Sequence, residues 1–413
     1  MIVLGLLLSG LWVARRIVPA QRPTPLSFLP SPGDSGVRDV RVLLASEASR
    51  LRVSAPRPLR LLDAPTPLVP TAAGGWTLAA ACPQGDGVFL EPDGPCLESV
   101  TLACDDSVMS LSLLEGEDWS PPANVPGLLR IALREEGGLQ VINEVDVEHY
   151  TACVVAREIW PTFETAAYRA QAVAARTFVL FQMQRRSAAA YDVLATQGAQ
   201  VYRGLRDDEV GRRAESATRD TRGLALTYFD GREDRLFCTY YSAACGGLSQ
   251  SAALFSGADD VEPLRGGVAC DYCRIAPSGV YRWGPVRVGL DDVRRRLSPT
   301  YAELAEWERI RSIEIVEKTD AGRAVTLRLW GDNDESLNLS AERFRLLVGG
   351  MEIRSADFTL RLERGEAVFE NGGGFGHGLG LCQWGMQGLA LEGRRAGDIL
   401  AFYFPGSKLT RVY

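Results

Sequence analysis

The sequence predicts an α+β protein, with helices grouped in the middle of the chain, mostly antiparallel β-structure packed with them, and a small β-rich module ahead. Three observations carry this. Short β-branched and aliphatic runs separated by turns fill the first third of the chain. Apolar residues then take helical spacing over two adjoining stretches between Val147 and Arg185. Beyond Leu224 the strand-and-turn pattern returns, giving the mixed, segregated class rather than an alternating one. With 413 residues, the chain is long enough for two or three domains, each with a core of its own.

Taken in order, residues 1–16 open on an apolar run from Met1 to Ala14, followed by Arg15 and Arg16. The run is shorter than the ~20 residues a spanning helix needs, and it reads as a signal peptide or an N-terminal membrane anchor. Residues 17–37, with Pro19, Pro23, Pro25, Pro30 and Pro32, read as a linker. A small β-rich module is expected over 38–130. Its strands are marked by Val40–Leu44, Leu51–Val53 and Leu59–Leu62, and Pro and Gly punctuate 63–127. The region 131–413 holds the rest. There Asp146 is a good N-cap for a helix over Val147–Glu158. A second helix follows Pro161, from Thr165 to Arg185, with a stripe of Ala170, Val173, Ala174, Thr177, Leu180 and Phe181. A polar helical stretch is expected over Asp291–Arg311, then strands at Ile313–Val316 and Val325–Leu329.

The formal charge of −7, from 45 basic and 52 acidic residues, is spread without a long run of either sign. That excludes nucleic acid as a partner, which requires a clustered basic surface. A neutral or zwitterionic polymer suits the balance better.

Among carboxylates, Glu158 is the most informative. Val147, Thr151, Val154 and Val155 share its face of the helix at a period of 3.6. A glutamate ending such a stripe is partly desolvated, which favours its neutral form. A carboxyl kept protonated near neutral pH is what a general acid needs. On the residues alone the alternative is a solvated helix end before Pro161. The run Asn371–Gly380 holds six glycines, so its backbone approaches something closely or takes positive φ. It matches no phosphate-binding loop. His377, one of two histidines in the chain, sits there as either a structural hydrogen-bonding group or an accessible functional one. There are nine cysteines, an odd count. Cys270-Asp-Tyr-Cys273 with Cys245 offers three soft ligands toward a tetrahedral zinc site. A disulfide or buried thiols is the competing reading. Cys82, Cys96 and Cys104 lie close enough in sequence for a disulfide.

With these segments placed, residues 140–413 resemble the stage II sporulation protein D family, which includes proteins described as amidase enhancers. The resemblance rests on Val141–Tyr150 through Val155–Ile159, the string Ala170-Gln-Ala-Val-Ala-Ala-Arg-Thr-Phe178, Thr196, Gln200-Val-Tyr202 and Thr221-Arg-Gly223. It continues in order through Tyr241–Gly247, Ser355–Leu360, Gly374–Gly385 and Tyr403–Gly406.

The resemblance implies lytic transglycosylase activity on peptidoglycan glycan strands, with those stripped of stem peptides as substrate. The family's catalytic glutamate maps onto Glu158, which would serve as a single acid/base and leave a 1,6-anhydro end on N-acetylmuramic acid. Gln171 and Arg176 lie in the helix string beside it; Arg176 binds substrate or holds the fold through buried hydrogen bonds. Ser242, Gly246, His377 and Gln383 are candidates for lining a glycan groove. The chemistry requires no cofactor. Some members carry a Cys and a His associated with zinc before Gln-x-Tyr, where this chain has Leu194 and Gly198. Cys245, Cys270 and Cys273 remain as ligands for a structural zinc. Cys382 stands where the family commonly has serine, which argues against a nucleophilic role. The expected partners are glycan strands and a cell-wall amidase, with the membrane touched only by the N-terminal segment and the protein exported to the periplasm or cell envelope. A second reading is a non-catalytic wall-binding module that stimulates an amidase. A third, a thiol or zinc hydrolase using Cys245 or Cys382 with His377, lacks an orienting Asp or Asn in the spacing.

Overall fold

The structure is a computed structural model that describes residues 39–62, 75–82, 85–91, 94–104, 108–196, 198–254 and 260–413. The expected signal or anchor segment and the linker lie outside these residues. The fold is α+β with mostly antiparallel sheets. The described chain divides into two compact units. One holds residues 39–239, 393–401 and 406–413; the other holds 240–392 and 402–405.

The first unit begins with strand Asp39–Ala48, which pairs antiparallel with Leu139–Asp146. The sheet continues through Leu128–Leu133, Ser99–Cys104 and Leu59–Leu61, and on its other side Val193–Leu194 adds a short parallel strand. A second sheet runs in the order Ala123–Val125, Met109–Glu115, Arg50–Ser54, Trp76–Cys82, Gly85–Glu91 and Cys96–Leu97. Alternation decides the faces: in Arg50–Ser54, Leu51 and Val53 are buried, while Arg52 lies over the Trp119 ring at 3.9 Å. Cys96 is in a disulfide.

Strand Leu139–Asp146 runs directly into helix α1, Val147–Glu158. Asp146 caps it, its carboxylate accepting from the N–H groups of Glu148 and His149 at 2.9 and 3.2 Å. Ile159 then turns to extended backbone, two residues ahead of Pro161. Helix α2, Thr165–Arg185, buries Ala167, Ala170, Ala172, Ala174 and Ala175 almost completely, and these small side chains let its neighbours approach closely. A third helix, α3 (Glu209–Asp220), was not expected from the sequence. Asp208 caps it through Gly211 N–H, and Val210, Ala214, Ala217 and Thr218 form its buried stripe. Strand Leu224–Phe229 pairs with Ser407–Arg411 from the far end of the chain and with Asp234–Leu236.

The second unit has a core of its own around Val293, Leu297, Leu304, Leu327, Leu329, Phe344 and Phe369. A three-stranded sheet, Ile310–Lys318, Ala324–Gly331 and Ser336–Ser340, lies under helices α4 (Leu290–Leu297) and α6 (Ala341–Gly349). The helical stretch expected over Asp291–Arg311 is shorter than that. It breaks after Leu297 at Pro299, whose missing N–H cannot continue the ladder, resumes as α5 (Glu303–Glu306), and gives way to strand at Ile310. The chain re-enters helix at α7, Gln383–Leu391; of the following α8, Ala396–Tyr403, the residues up to Ala401 belong to the first unit.

Candidate functional site

Glu158 is the last residue of α1 and is half-buried. Its Oε1 accepts the backbone N–H of Val201 at 2.8 Å. Burial pushes its carboxyl above the usual range, and the Val201 N–H bond opposes that only partly. Beneath it the segment 200–202 is fixed by a buried polar network. Tyr150 stacks on Tyr202, with ring centroids 5.3 Å apart. The Tyr150 hydroxyl donates to Gln200 Oε1 at 3.0 Å. The Tyr202 hydroxyl donates to Asn143 Oδ1 at 2.6 Å, and the Asn143 amide donates to the carbonyls of Pro126 and Leu128. The segment that delivers the N–H to Glu158 is thus anchored by Tyr202 to the sheet that launches α1. Cys153, in the same helix, is pushed up to about 12 by burial, which makes it an inert thiol.

The other end of α1 is built differently. Arg176 of α2 is fully buried. It forks onto Glu148, Nε to Oε1 at 3.1 Å and Nη2 to Oε2 at 2.5 Å. Its remaining donors reach Thr221 Oγ1, the Leu224 carbonyl and the Thr218 carbonyl. All five guanidinium N–H groups are therefore occupied inside the unit. Of the two roles open to Arg176, this geometry supplies the fold-holding one. Glu148 also accepts from Gly223 N–H at 3.0 Å and from the Tyr413 hydroxyl at 2.6 Å. Burial works against its charge, but Arg176, Tyr413 and Gly223 together hold its carboxyl below the usual range. Gln171 is buried within α2.

In the second unit, Ser242, Gly246, His377 and Gln383 come together along one seam. Tyr241–Ser242 pairs in parallel with Leu381–Cys382; Ala244 and Phe375 exchange backbone bonds; and Trp384 N–H donates to the Ala243 carbonyl. The glycine run is where the two segments press together. Gly246 has φ of +78°, and a Cβ there would meet the backbone of Gly373 and Gly374. At Gly376 it would meet the Ser242 side chain. His377 Nδ1 accepts the Leu379 N–H at 3.0 Å, and its ring meets Tyr240 edge-on at 6.0 Å. Burial lowers it to about 4, so the imidazole is neutral at ordinary pH. The Ser242 Oγ is buried without a hydrogen-bond partner among the described residues.

Behind this seam lies a cluster that the sequence reading assembled only in part. Cys245, Cys270 and Cys273 converge as expected, and the thiol of Cys382 joins them. All four are buried, with sulfur atoms within 4.8 Å of one another.

The family described as Stage II sporulation protein matches residues 135–228, which span α1, α2, α3 and the segment anchored beneath Glu158. The chain is 24% identical to Stage II sporulation protein D of Bacillus subtilis over 288 residues, 66% of this chain and 77% of that protein. This chain belongs to the stage II sporulation protein D family. An uncharacterized protein of Brachyspira hyodysenteriae is 30% identical over 267 residues, covering 64% of this chain and 67% of that one. The amidase enhancer of Bacillus subtilis is 29% identical over 75 residues, 18% of this chain and 10% of its own length. A second pattern, described as a domain of unknown function (DUF8618), matches residues 275–380. Within the stage II sporulation protein D family, then, this chain presents a half-buried acid on a rigid helix end and a separate cysteine cluster.

Proposed function

We propose that this chain is an exported peptidoglycan lytic transglycosylase that cleaves the bond between N-acetylmuramic acid and N-acetylglucosamine, with Glu158 as its single acid/base. The observation that carries the reading is the carboxyl of Glu158 at the end of α1, raised by burial, with its Oε1 accepting the Val201 N–H. A protonated Glu158 donates its proton to the glycosidic oxygen as the bond to the muramic C1 breaks. The substrate's own acetamido group stabilises the positive charge at C1. The ionised Glu158 then takes the proton of the muramic 6-hydroxyl, whose oxygen closes on C1 to give the 1,6-anhydro end. No water is consumed, and Glu158 finishes protonated as it began. No metal takes part; the cysteine cluster is read as a structural zinc site. Peptide-stripped strands are the proposed substrate, since family resemblance points to them.

The disulfide at Cys96 supports export, because such bonds persist in oxidising compartments. Among the described residues no helix is long and apolar enough to cross a membrane. The test is incubation of the purified protein with peptide-free glycan strands and mass analysis of the products. Anhydro ends formed by the wild type and lost in Glu158→Gln support the reading. Intact strands with the wild type sink it. The short similarity to the amidase enhancer favours one second reading, a non-catalytic wall-binding partner of an amidase. There, amidase stimulation by Glu158→Gln would equal that by the wild type.

A further inference from the structure

We infer that Cys245, Cys270, Cys273 and Cys382 bind one zinc ion as four thiolates, and that this ion ties together the segments forming the seam of the second unit. The inference stands apart from the role given to Glu158, which lies in the other unit. The spacing of the sulfurs fits. At a Zn–S length of about 2.3 Å, the edge of a regular tetrahedron is roughly 3.8 Å, and Cys245 Sγ lies 3.8 Å from Cys273 Sγ. The widest separation in the set is 4.8 Å, and the 3.8 Å pair is far beyond the ~2.05 Å of a disulfide.

The surroundings suit thiolates rather than thiols. Cys382 Sγ accepts two backbone N–H groups, from Cys245 at 3.2 Å and Gly385 at 3.3 Å. Cys270 Sγ lies 3.0 Å from the Tyr403 hydroxyl, which can donate to it. Outer partners of this kind orient metal ligands. A Cβ at Gly385 would run into Cys270 Sγ and Tyr403 Oη, so this helix turn is kept bare where the sulfurs gather. Four thiolates around one Zn²⁺ leave a dianionic centre, and a buried cation stands beside it. Arg323 donates to the Cys245 carbonyl at 2.6 Å and to the Gly376 carbonyl at 3.1 Å. As the four Zn–S bonds form, four S–H protons leave to solvent. The ligands come from the loop 243–247, the turn Asp271–Ile275 with the residue before it, and the residue that caps α7. The ion therefore joins three segments distant in sequence. In a compartment that oxidises Cys96, it also keeps Cys245 and Cys273 from pairing with each other.

The experiment is metal analysis of the purified full chain by plasma mass spectrometry. One equivalent of zinc per chain is expected, lost in Cys382→Ser and retained in Cys153→Ser, a buried cysteine outside the cluster. If Cys382→Ser does not fold, a mercurial titration of the wild type replaces it, and zinc must be released in step with four thiols. A protein free of metal, cluster cysteines found as disulfides by non-reducing peptide mapping, one equivalent of iron instead of zinc, or full zinc occupancy in folded Cys382→Ser would each overturn the assignment.

Discussion

Helix α1 carries Glu148 in its first turn and Glu158 at its last residue, and the same side chain meets opposite treatment at the two ends. Glu148 is surrounded by donors: a buried arginine fork, a tyrosine hydroxyl and a backbone N–H hold it ionised. At Glu158 burial outweighs the Val201 N–H bond, and its carboxyl is lifted toward the neutral form. The first arrangement ties α1 to α2 and to the strand at Leu224. The second favours the neutral form of the carboxyl. On the proposed reading, α1 is fixed at its Glu148 end and carries its acid at the other.

Substitutions at the two ends are expected to separate along that line. Glu158→Gln should lower the rate of anhydro-end formation by about 10²–10⁴-fold, the usual contribution of a positioned general acid, with a urea midpoint no lower than that of the wild type. A clear loss of stability with full activity would reverse the comparison. Glu148→Gln leaves Arg176 charged and buried without its counter-ion, and should cost about 3–5 kcal/mol of unfolding free energy. Activity per folded molecule should be retained, checked by denaturation alongside product assay.

The two carboxyls also predict opposite pH responses. Glu148, with its pKa lowered, contributes stability that is present above its unfolded pKa and lost as pH falls through its folded value. Glu158, with its pKa raised, favours the fold below its unfolded pKa, and that contribution is lost as pH rises through its folded value. On the proposed mechanism the same rise removes the proton that Glu158 donates, so turnover should fall on the alkaline side. Melting curves against pH for the wild type and both glutamine variants, with a pH–rate profile, test both signs. Tyr413→Phe removes one hydrogen bond to a charged acceptor, a loss of roughly 1.5–3 kcal/mol. Asp146→Ala removes the cap of α1 and should cost about 1 kcal/mol, both read by urea titration.

Much of this layout is legible in the sequence because it rests on local chemistry. Asp146 and the apolar spacing after it give α1 at its observed bounds, and the alanine stripe does the same for α2. Helix α3 went unseen, although Asp208 and the stripe Val210, Ala214, Ala217 and Thr218 carry the signal; its many charged residues masked the short apolar face. The polar composition of Asp291–Arg311 suggests a longer helix than forms, because Pro299 interrupts it after Leu297. At the site, the apolar face of α1 gave a reason for Glu158 to be desolvated. The N–H of Val201 comes from a segment whose position depends on Tyr202 reaching Asn143, a tertiary fact with no local pattern. Cys382 shows the same limit: C-x-x-C spacing marks two ligands, but the fourth arrives from the start of a distant helix. The glycine run announced close approach without naming what approaches, namely Ser242 and the backbone of Gly246.

The pairing of Leu224–Phe229 with Ser407–Arg411 has a consequence in time. Thr227 and Thr410, joined through their hydroxyls, are 183 residues apart in sequence. Contacts of such range form slowly, because the chain must close a long loop before any bond rewards it. The equilibrium penalty grows only with the logarithm of the loop, so the finished sheet loses little by it. Its assembly, however, waits on residues 407–411, and until then Tyr413 cannot reach Glu148. The Arg176 fork on Glu148 spans only 28 residues and can close early, whereas the Tyr413 bond to the same carboxylate is completed late in folding.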